Sequence, residues 1–409
     1  MAKILIIGGS LGGLLVANML LQDGHDVHIL EKTTGSMDGR GAGIVAHHSL
    51  FLALEQAGVV IDETLGVKIR QRVVLDLHGN TIDCLEAPQI VTSWSQLFVL
   101  LKANFPPSRY LQGKNVLHLT QDASVVEVRC DDGSQLQADL VIASDGLRSA
   151  IRQIQSPNIV PNYAGYIAWR GVCDESKLSK RTLETLFPYF GFCLPDGEQM
   201  LGYPVAGANN DTSAGKKRYN FVWYRSVPQN QLSDYLTDES GQLFSFGIAP
   251  TKIKKQFIQE MRQASEQLLA PQFAEIITHT EIPFFQAIYD VESDQIANGR
   301  VALMGDAAFV ARPHVGMGVT KAGDDALSLL QHIRTFGATP KALEAYAAER
   351  FTIGQSLVAR AQYLGRYMQS QSMSSTSDSH SGIRNTSTVL KETAVDLRHV
   401  SKPSITHMD

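Results

Sequence analysis

The chain has 409 residues, 44% of them hydrophobic and 19% charged, the make-up of a globular protein too long for one simple core. A formal net charge of −5 removes the electrostatic case for nucleic acid or an anionic membrane as partner, and no apolar run reaches the roughly 20 residues of a membrane span. Cys84, Cys130, Cys173 and Cys193 form no C-x-x-C pair and the twelve histidines show no ligand spacing, so the expectation is a cytoplasmic protein with reduced thiols and no metal.

Lys3 to Ile7 is a short β-branched apolar run and predicts a buried parallel strand. The loop after it reads Gly8-Gly9-Ser10-Leu11-Gly12-Gly13, a G-x-G-x-x-G fingerprint with serine in the middle glycine's place. Leu11, Leu14, Leu15, Asn18 and Leu21 then recur near helical spacing until Gly24. Val27 to Leu30 follows as a second strand, ending on Glu31 and Lys32. In such a βαβ unit one glycine makes the tight turn, one admits a pyrophosphate and one lets helix and strand pack closely. Gly8 and Gly13 keep the outer duties, while Ser10 is small and brings a hydroxyl that can donate to phosphate. Free N–H groups and partial positive charge at the helix start favour an anion. Glu31 stands near the ~20-residue spacing at which an acid accepts ribose hydroxyls. The segment predicts an adenosine diphosphate site without choosing between NAD and FAD.

Residues 39–44 read Gly-Arg-Gly-Ala-Gly-Ile, and a strand over 140–143 ends in Ser144-Asp145-Gly146. The stretches YAGYIAWRGV, MLGYPVAG and RYNFVWYRSV, between 163 and 227, alternate apolar with polar residues and are rich in aromatics. They predict an antiparallel sheet with one covered face. Val301 to Met304 is a third buried strand, running into Gly305-Asp306 and a glycine-rich helix start. Residues 341–368 are helical in composition, and 369–382 are serine-rich with little to bury. The expected fold class is α/β. A discontinuous Rossmann-like dinucleotide domain takes residues 1–70, 96–160 and 286–368, with C-terminal helices. An inserted antiparallel β-sheet substrate domain takes 71–95 and 161–285, and 369–409 form a flexible tail.

Taken together, these segments resemble the FAD-dependent aromatic hydroxylases, the para-hydroxybenzoate hydroxylase-like family. Asp145, Gly146, Ser149 and Arg152 match that family's Asp-Gly-x-x-Ser-x-x-Arg segment. Gly305, Asp306, Ala307, Ala308, Pro313, Gly316 and Gly318 match its Gly-Asp-Ala-Ala and Pro-x-x-Gly-x-Gly. Arg40, Gly43 and Ile44 lie in a stretch similar to its glycine-rich loop beside the flavin ring. YAGYIAWRGV, FVWYRSV and ARPHVGMGVTKAGDDA further resemble the 2,6-dihydroxypyridine 3-hydroxylase branch. Two positions depart from the pattern. Phe309 stands where the family often has histidine, and Trp94 where it often has an arginine that helps hold FAD.

The resemblance implies FAD, held by Gly8, Ser10, Gly12, Gly13, Glu31, Lys32, Arg40, Gly43, Ile44, Asp145, Gly146, Asp306, Pro313, Gly316 and Gly318. Asp306 suits a ribityl hydroxyl, and Gly316 and Gly318 let backbone approach a flat ring. The helix starting there would aim N–H groups at the flavin's pyrimidine edge. Also implied are NAD(P)H as reductant, with NADH favoured, and O2 activated as a flavin C4a-hydroperoxide. The substrate would be a small electron-rich phenol or hydroxypyridine, in a chamber that excludes water.

Such a ring reacts after losing a hydroxyl proton, which needs a base. His47 and His314 are the positional candidates, because histidine titrates near neutrality, and Tyr224 and Tyr203 project from the central strands. Trp169 and Trp223 read as core or pocket wall, and Arg170 as reaching the flavin or substrate edge or as a structural ion pair. The competing readings are a same-fold epoxidase or antibiotic-modifying monooxygenase, and a non-catalytic flavin-binding redox or interaction protein. A monomer or homodimer is expected.

Overall fold

The structure, a computed structural model, describes residues 1–35, 43–366, 368 and 385–395. In chain order it opens with β1 (Lys3–Ile7), α1 (Leu11–Gln22), β2 (Asp26–Glu31), β3 (Gly43–Ala46), α2 (His48–Gln56), β4 (Val67–Leu75), β5 (Thr81–Ser93), α3 (Trp94–Ala103) and β6 (Tyr110–Gln112). β7 (Val116–Gln121), β8 (Val126–Cys130) and β9 (Gln135–Ala138) make a small sheet of their own, before β10 (Leu140–Ala143) and α4 (Ala150–Gln155). The middle holds β11 (Asn162–Asp174), α5 (Lys180–Thr185), β12 (Phe190–Cys193), β13 (Gln199–Val205), β14 (Arg218–Ser226), α6 (Gln229–Tyr235), α7 (Lys255–Leu268), α8 (Pro271–Thr278) and β15 (Phe284–Glu292). The chain closes with β16 (Ala297–Asn298), β17 (Val301–Leu303), β18 (Phe309–Val310), α9 (Gly318–Phe336), α10 (Pro340–Gly365) and α11 (Thr386–Glu392). Among the described residues no helix is long and apolar enough to cross a membrane.

β1, β10 and β17, the three apolar runs of the sequence, lie side by side in a six-stranded sheet ordered β16-β17-β10-β1-β2-β6, parallel except at the edge strand β16. Ile7 pairs with Ala143, and Ala143 with Leu303, so the three strands end level. Their following loops therefore leave one carboxyl edge together, where open α/β sheets bind ligands. The almost unbroken apolar character of these strands reflects burial on both faces.

The second sheet has nine strands, ordered β18-β15-β11-β14-β13-β12-β4-β5-β3, antiparallel except where β12 runs alongside β4. It is larger than the sequence boundaries of 71–95 and 161–285 allow. It begins at Gly43, takes all of β4, and extends through β15 to Val310. Lys68, Arg70 and Arg72 explain why β4 belongs here, since a strand covered on both faces does not accommodate three cations. Side-chain alternation divides the sheet's two faces. Trp169 pairs with Trp223, and both pack beneath α7 and α8 with Phe257, Met261 and Phe273, so these tryptophans are core. Tyr166, Ala168, Leu201, Tyr203, Val222, Tyr224 and Ile288 take the opposite face. A one-residue slip would exchange the two sets.

Residues 385–395 correct the expectation of a flexible tail over 369–409. Asn385 caps α11 by accepting from the Thr388 amide at 2.8 Å, and Val389, Leu390 and Ala394 are buried. Arg72, only 2% exposed, draws the segment in. It donates to the carbonyls of Leu390 (2.9 Å), Thr393 (2.6 Å) and Ala394 (2.9 Å) and to Gln89 Oε1 (2.6 Å). Burial lowers its pKa to about 10, which leaves it charged at neutral pH. A buried cation needs hydrogen-bonding partners, and carbonyls at a helix C-terminus are well placed to supply them. Residues 369–384 and 396–409 lie outside the described residues.

Phe309, one of the departures from the family pattern, packs edge-on to Phe351 at 5.6 Å between ring centroids. Its ring occupies the place where a Cβ on Gly354, inside α10, would approach to 2.2 Å. Gly→Ala in a helix interior ordinarily stabilises by up to ~1 kcal/mol. Here overpacking of about 1–3 kcal/mol outweighs that gain. Thermal unfolding of Gly354→Ala is expected to show a lower midpoint, with partial recovery on adding Phe309→Leu; a raised midpoint would refute the packing argument.

Candidate active site

The first loop turns as its glycines predict. Gly8 has φ +99°, and a Cβ there would meet the Ser144 carbonyl oxygen at 2.5 Å; a Cβ on Gly13 would lie 1.9 Å from the Gly8 oxygen. Gly12 lies against the Ser144 side chain. Ser10 is the N-cap residue of α1, but its hydroxyl makes no capping bond and the first turn holds no acid. Free amides and a free hydroxyl thus face the carboxyl edge, the donor set an anionic diphosphate needs. Glu31 is buried at the end of β2. Its Oε2 accepts from the Gly9 amide at 2.8 Å and its Oε1 from the Thr33 amide at 2.8 Å. Tyr110 donates to the Gly9 carbonyl at 2.8 Å. Gly9 is held from both ends, and Tyr110 carried no sequence signal because only the β2–β6 pairing delivers it. Lys32 is exposed beside Glu31, and Arg40 lies outside the described residues.

The second and third loops lock together. Asp145 Oδ2 accepts from the amides of Ala150 (2.7 Å) and Ile151 (3.4 Å), and Ser149 Oγ from that of Arg152 (2.9 Å), so both side chains start α4. Asp145 Oδ1 is buried with no hydrogen-bond partner among the described residues. Gly146 follows at φ +80°. Arg152 donates to the carbonyls of Leu147 and Ala307, tying this loop to the next. There Gly305 is gripped by a buried ionic group. Its amide donates to Asp325 Oδ2 (2.9 Å), its carbonyl accepts from Lys321 Nζ (2.6 Å), and Arg350 Nε donates to Asp325 Oδ1 (2.8 Å). The grip leaves Asp306 lining the cleft with no hydrogen bond to its carboxylate among the described residues. Its side chain is exposed along the cleft, with the charges of Lys321, Arg152 and Asp325 nearby.

Asp306 borders a cavity of about 250 Å³ between the two sheets. On one side stand Pro313, Gly316, Gly318 and Val319, and on the other Gly43, Ile44 and Val45. α9 begins at Gly318 with no acid in its first turn and no side-chain cap, and a Cβ on Gly318 would meet nothing within 4 Å. This open space before free amides fits the edge of a flat, electron-accepting ring. Gly316, at φ +64°, makes a different close approach from the expected one. A Cβ there would lie 2.6 Å from the Ala394 side chain, so the docked C-terminal segment fills that place. Gly43 has the Tyr203 ring against its backbone and donates to Asn220 Oδ1 at 3.1 Å. Trp94 stacks on Phe98 at 4.8 Å, outside the residues lining the cavity.

The two candidate histidines are displaced from this cavity. His314 is fully buried, its Nε2 2.8 Å from the Tyr166 hydroxyl and its ring centroid 4.1 Å from that of Tyr224. His47 Nε2 lies 3.2 Å from the Gly316 carbonyl. Neither lines the cavity, and both brace the 313–318 loop. Tyr203, Tyr224 and Arg170 do line it, beside Phe190, Leu201, Val222 and Ile288. Burial raises both phenols, that of Tyr224 to about 12, while Arg170 opposes the rise. At neutral pH they are hydrogen-bond donors. Arg170 Nε is buried without a partner, and its guanidinium is the one cation among the described lining residues. No group of described residues could hold a metal ion.

A family model described as FAD binding domain matches residues 1–180 and 248–361, and one described as FAD binding domain-like matches 163–290. The 2,6-dihydroxypyridine 3-monooxygenase of Paenarthrobacter nicotinovorans is 31% identical, over 80% of this chain and 82% of the relative. The 6-hydroxynicotinate 3-monooxygenase of Pseudomonas fluorescens is 25% identical, over 82% and 83%. The solved 2,6-dihydroxypyridine-3-hydroxylase from Arthrobacter nicotinovorans superposes with TM-score 0.86 at 27% identity, covering 99% of both chains. Klebsiella pneumoniae HpxO, solved with FAD and uric acid, shares the fold with TM-score 0.72 at 22% identity, over 90% and 91%.

Loss of a hydrogen bond to a charged group is worth about 1.5–3 kcal/mol. Fluorescence titration of the apoprotein is accordingly expected to show that Asp306→Ala binds FAD about 10- to 100-fold more weakly. Unchanged affinity would remove Asp306 from the site. Arg72→Met is expected to expose residues 385–395 to protease while the rest of the fold resists digestion.

Proposed function

The chain belongs to the FAD binding domain family and is an FAD-dependent monooxygenase of aromatic or heteroaromatic rings. From that premise we propose that its substrate is a small hydroxylated ring, a hydroxypyridine or phenol, taken as its oxyanion. We propose further that NAD(P)H, NADH preferred, is the reductant and O2 the oxidant.

The observation that carries the substrate reading is Arg170. Among the described residues it is the one cation lining an aromatic-walled cavity of about 250 Å³ and it has no ion-pair partner, with the Tyr203 and Tyr224 hydroxyls beside it. A fixed positive charge lowers the pKa of a hydroxyl bound against it. That field provides what the sequence sought in a histidine, since no described histidine lines the cavity. Tyr203 and Tyr224, kept protonated by burial, donate to the oxyanion and fix which ring carbon is presented. FAD, held by the three loops, would supply the electrons that activate O2. Phe190, Leu201, Val222 and Ile288 keep bulk water from the reacting carbon. The named relatives are monooxygenases, which leaves the non-catalytic reading without support.

The test is a screen of hydroxypyridines and phenols for accelerated NADH consumption coupled to hydroxylated product. Arg170→Met should raise KM for the responding ring by about 10- to 100-fold, the worth of a charge-assisted contact. An unchanged KM would overturn the oxyanion reading. Because Tyr224 titrates near 12, it stays protonated throughout the neutral range. Tyr224→Phe should therefore lower turnover without moving the midpoint of the pH–rate profile.

A further inference from the structure

Strand β15 alternates as a two-faced strand should. Phe285 and Ala287 pack into the tryptophan-rich core, and Ile288 takes the opposite face. Gln286 falls on the same side as Ile288, where the alternation calls for another apolar residue. It lines the cavity of about 250 Å³ and is exposed there. It is the one carboxamide side chain among the described lining residues, and it makes no hydrogen bond to any of them. Its register gives it two polar neighbours. Gln286 pairs with Ala168 on β11, and Ala168 pairs with Tyr224 on β14. Paired residues share a face, so Gln286 and Tyr224 stand on either side of the Ala168 methyl, roughly 10 Å apart at two strand spacings. Arg170, two residues along β11, takes that face too and lies diagonal to both, at about 7–8 Å.

A carboxamide presents an acceptor and a donor side by side, here Oε1 and Nε2. Its complement is a ring edge with N–H next to C=O, the lactam edge of a hydroxypyridine in its pyridone form. The same two-point logic lets glutamine read adenine. A phenol has no ring N–H, so it leaves Oε1 without a donor. We infer that Gln286 is a specificity-determining residue, which makes this chamber prefer a lactam-type nitrogen heterocycle to a carbocyclic phenol. Oε1 accepts from the ring N–H and Nε2 donates to the adjacent carbonyl, while the ionised hydroxyl lies against Arg170. Oxygens on the two carbons that flank a ring nitrogen share one edge of the ring. One edge can therefore meet Gln286 and Arg170 together, as their diagonal placement requires. The inference deepens the reading of a small hydroxylated ring held at Arg170, and rests on it.

The test uses the FAD-loaded protein without reductant and reads ring binding from the change in flavin absorbance. The ligands are 6-hydroxy-2-pyridone, its N-methyl derivative, and resorcinol, which keeps both oxygens and replaces N–H with C–H. Wild-type protein should bind the N–H ring about 3- to 10-fold more tightly than either of the others, the worth of one hydrogen bond. Gln286→Leu should abolish that preference, weakening the N–H ring by the same factor and leaving the other two within about twofold. Arg170→Met should instead weaken all three and keep the preference. The wild-type ratio needs no substitution, so a poorly folding variant does not decide the outcome. A wild-type protein with no preference for the N–H ring would overturn the assignment. So would a Gln286→Leu variant that weakens all three rings alike. If the preference is missing while Arg170→Met still weakens every ring, this inference fails and the oxyanion reading stands. If none of the three rings perturbs the flavin, both fail.

Discussion

Everything at the site depends on three parallel strands ending level. β1, β10 and β17 contribute the residues of widely separated segments, and their register places the loops after Ile7, Ala143 and Leu303 along one edge. Backbone interactions and buried charges then set each loop. Gly9 is held between Glu31 and Tyr110, Arg152 joins the second loop to the third, and Lys321, Asp325 and Arg350 fix Gly305. Many of the motif's polar groups thus hold the frame, while the Ser10 hydroxyl makes no capping bond and Asp306 lines the cleft. Preorganisation of this kind means a ligand meets donors and acceptors already in position.

The large sheet adds a sorted surface. One face is committed to the tryptophan-rich core under α7 and α8, and the other turns Tyr203, Tyr224 and Arg170 toward the nucleotide-binding layer. With Arg170 as the cation and Asp306 as the carboxylate among the described cavity-lining residues, the cavity has a built-in polarity. Asp306 suits the neutral, hydroxylated part of a cofactor, and Arg170 a negatively charged ring.

The fingerprint loop, the three buried strands and the aromatic sheet were legible in the sequence because each rests on local rules: glycine where no Cβ fits, unbroken apolar runs, and period-two alternation. The limits of the second sheet were less legible. β3 and β4 join it through pairing with distant strands, which no local window reports. The two histidines were chosen for their neighbourhood in sequence, yet His314 turns into the protein toward Tyr166 and His47 toward the Gly316 carbonyl. Asp145 is typical of a residue whose place was foreseen and whose main work was not, since its carboxylate starts α4. The C-terminal segment was hidden by composition. The serine-rich 369–382 stretch suggested nothing to bury, and the partner that recruits residues 385–395 is an arginine some three hundred positions earlier, at 72.

That last contact has a bearing on biosynthesis. Thr393 and Ala394 are cavity wall, and they follow every strand of both sheets in chain order. A nascent chain can assemble both sheets and all three loops while its reaction chamber still stands open to water. Sealing by the Arg72 clamp then waits for residues 390–394, so a product truncated before them would have the parts of an oxygen-activating enzyme without the enclosure that keeps its reducing power from being wasted on peroxide.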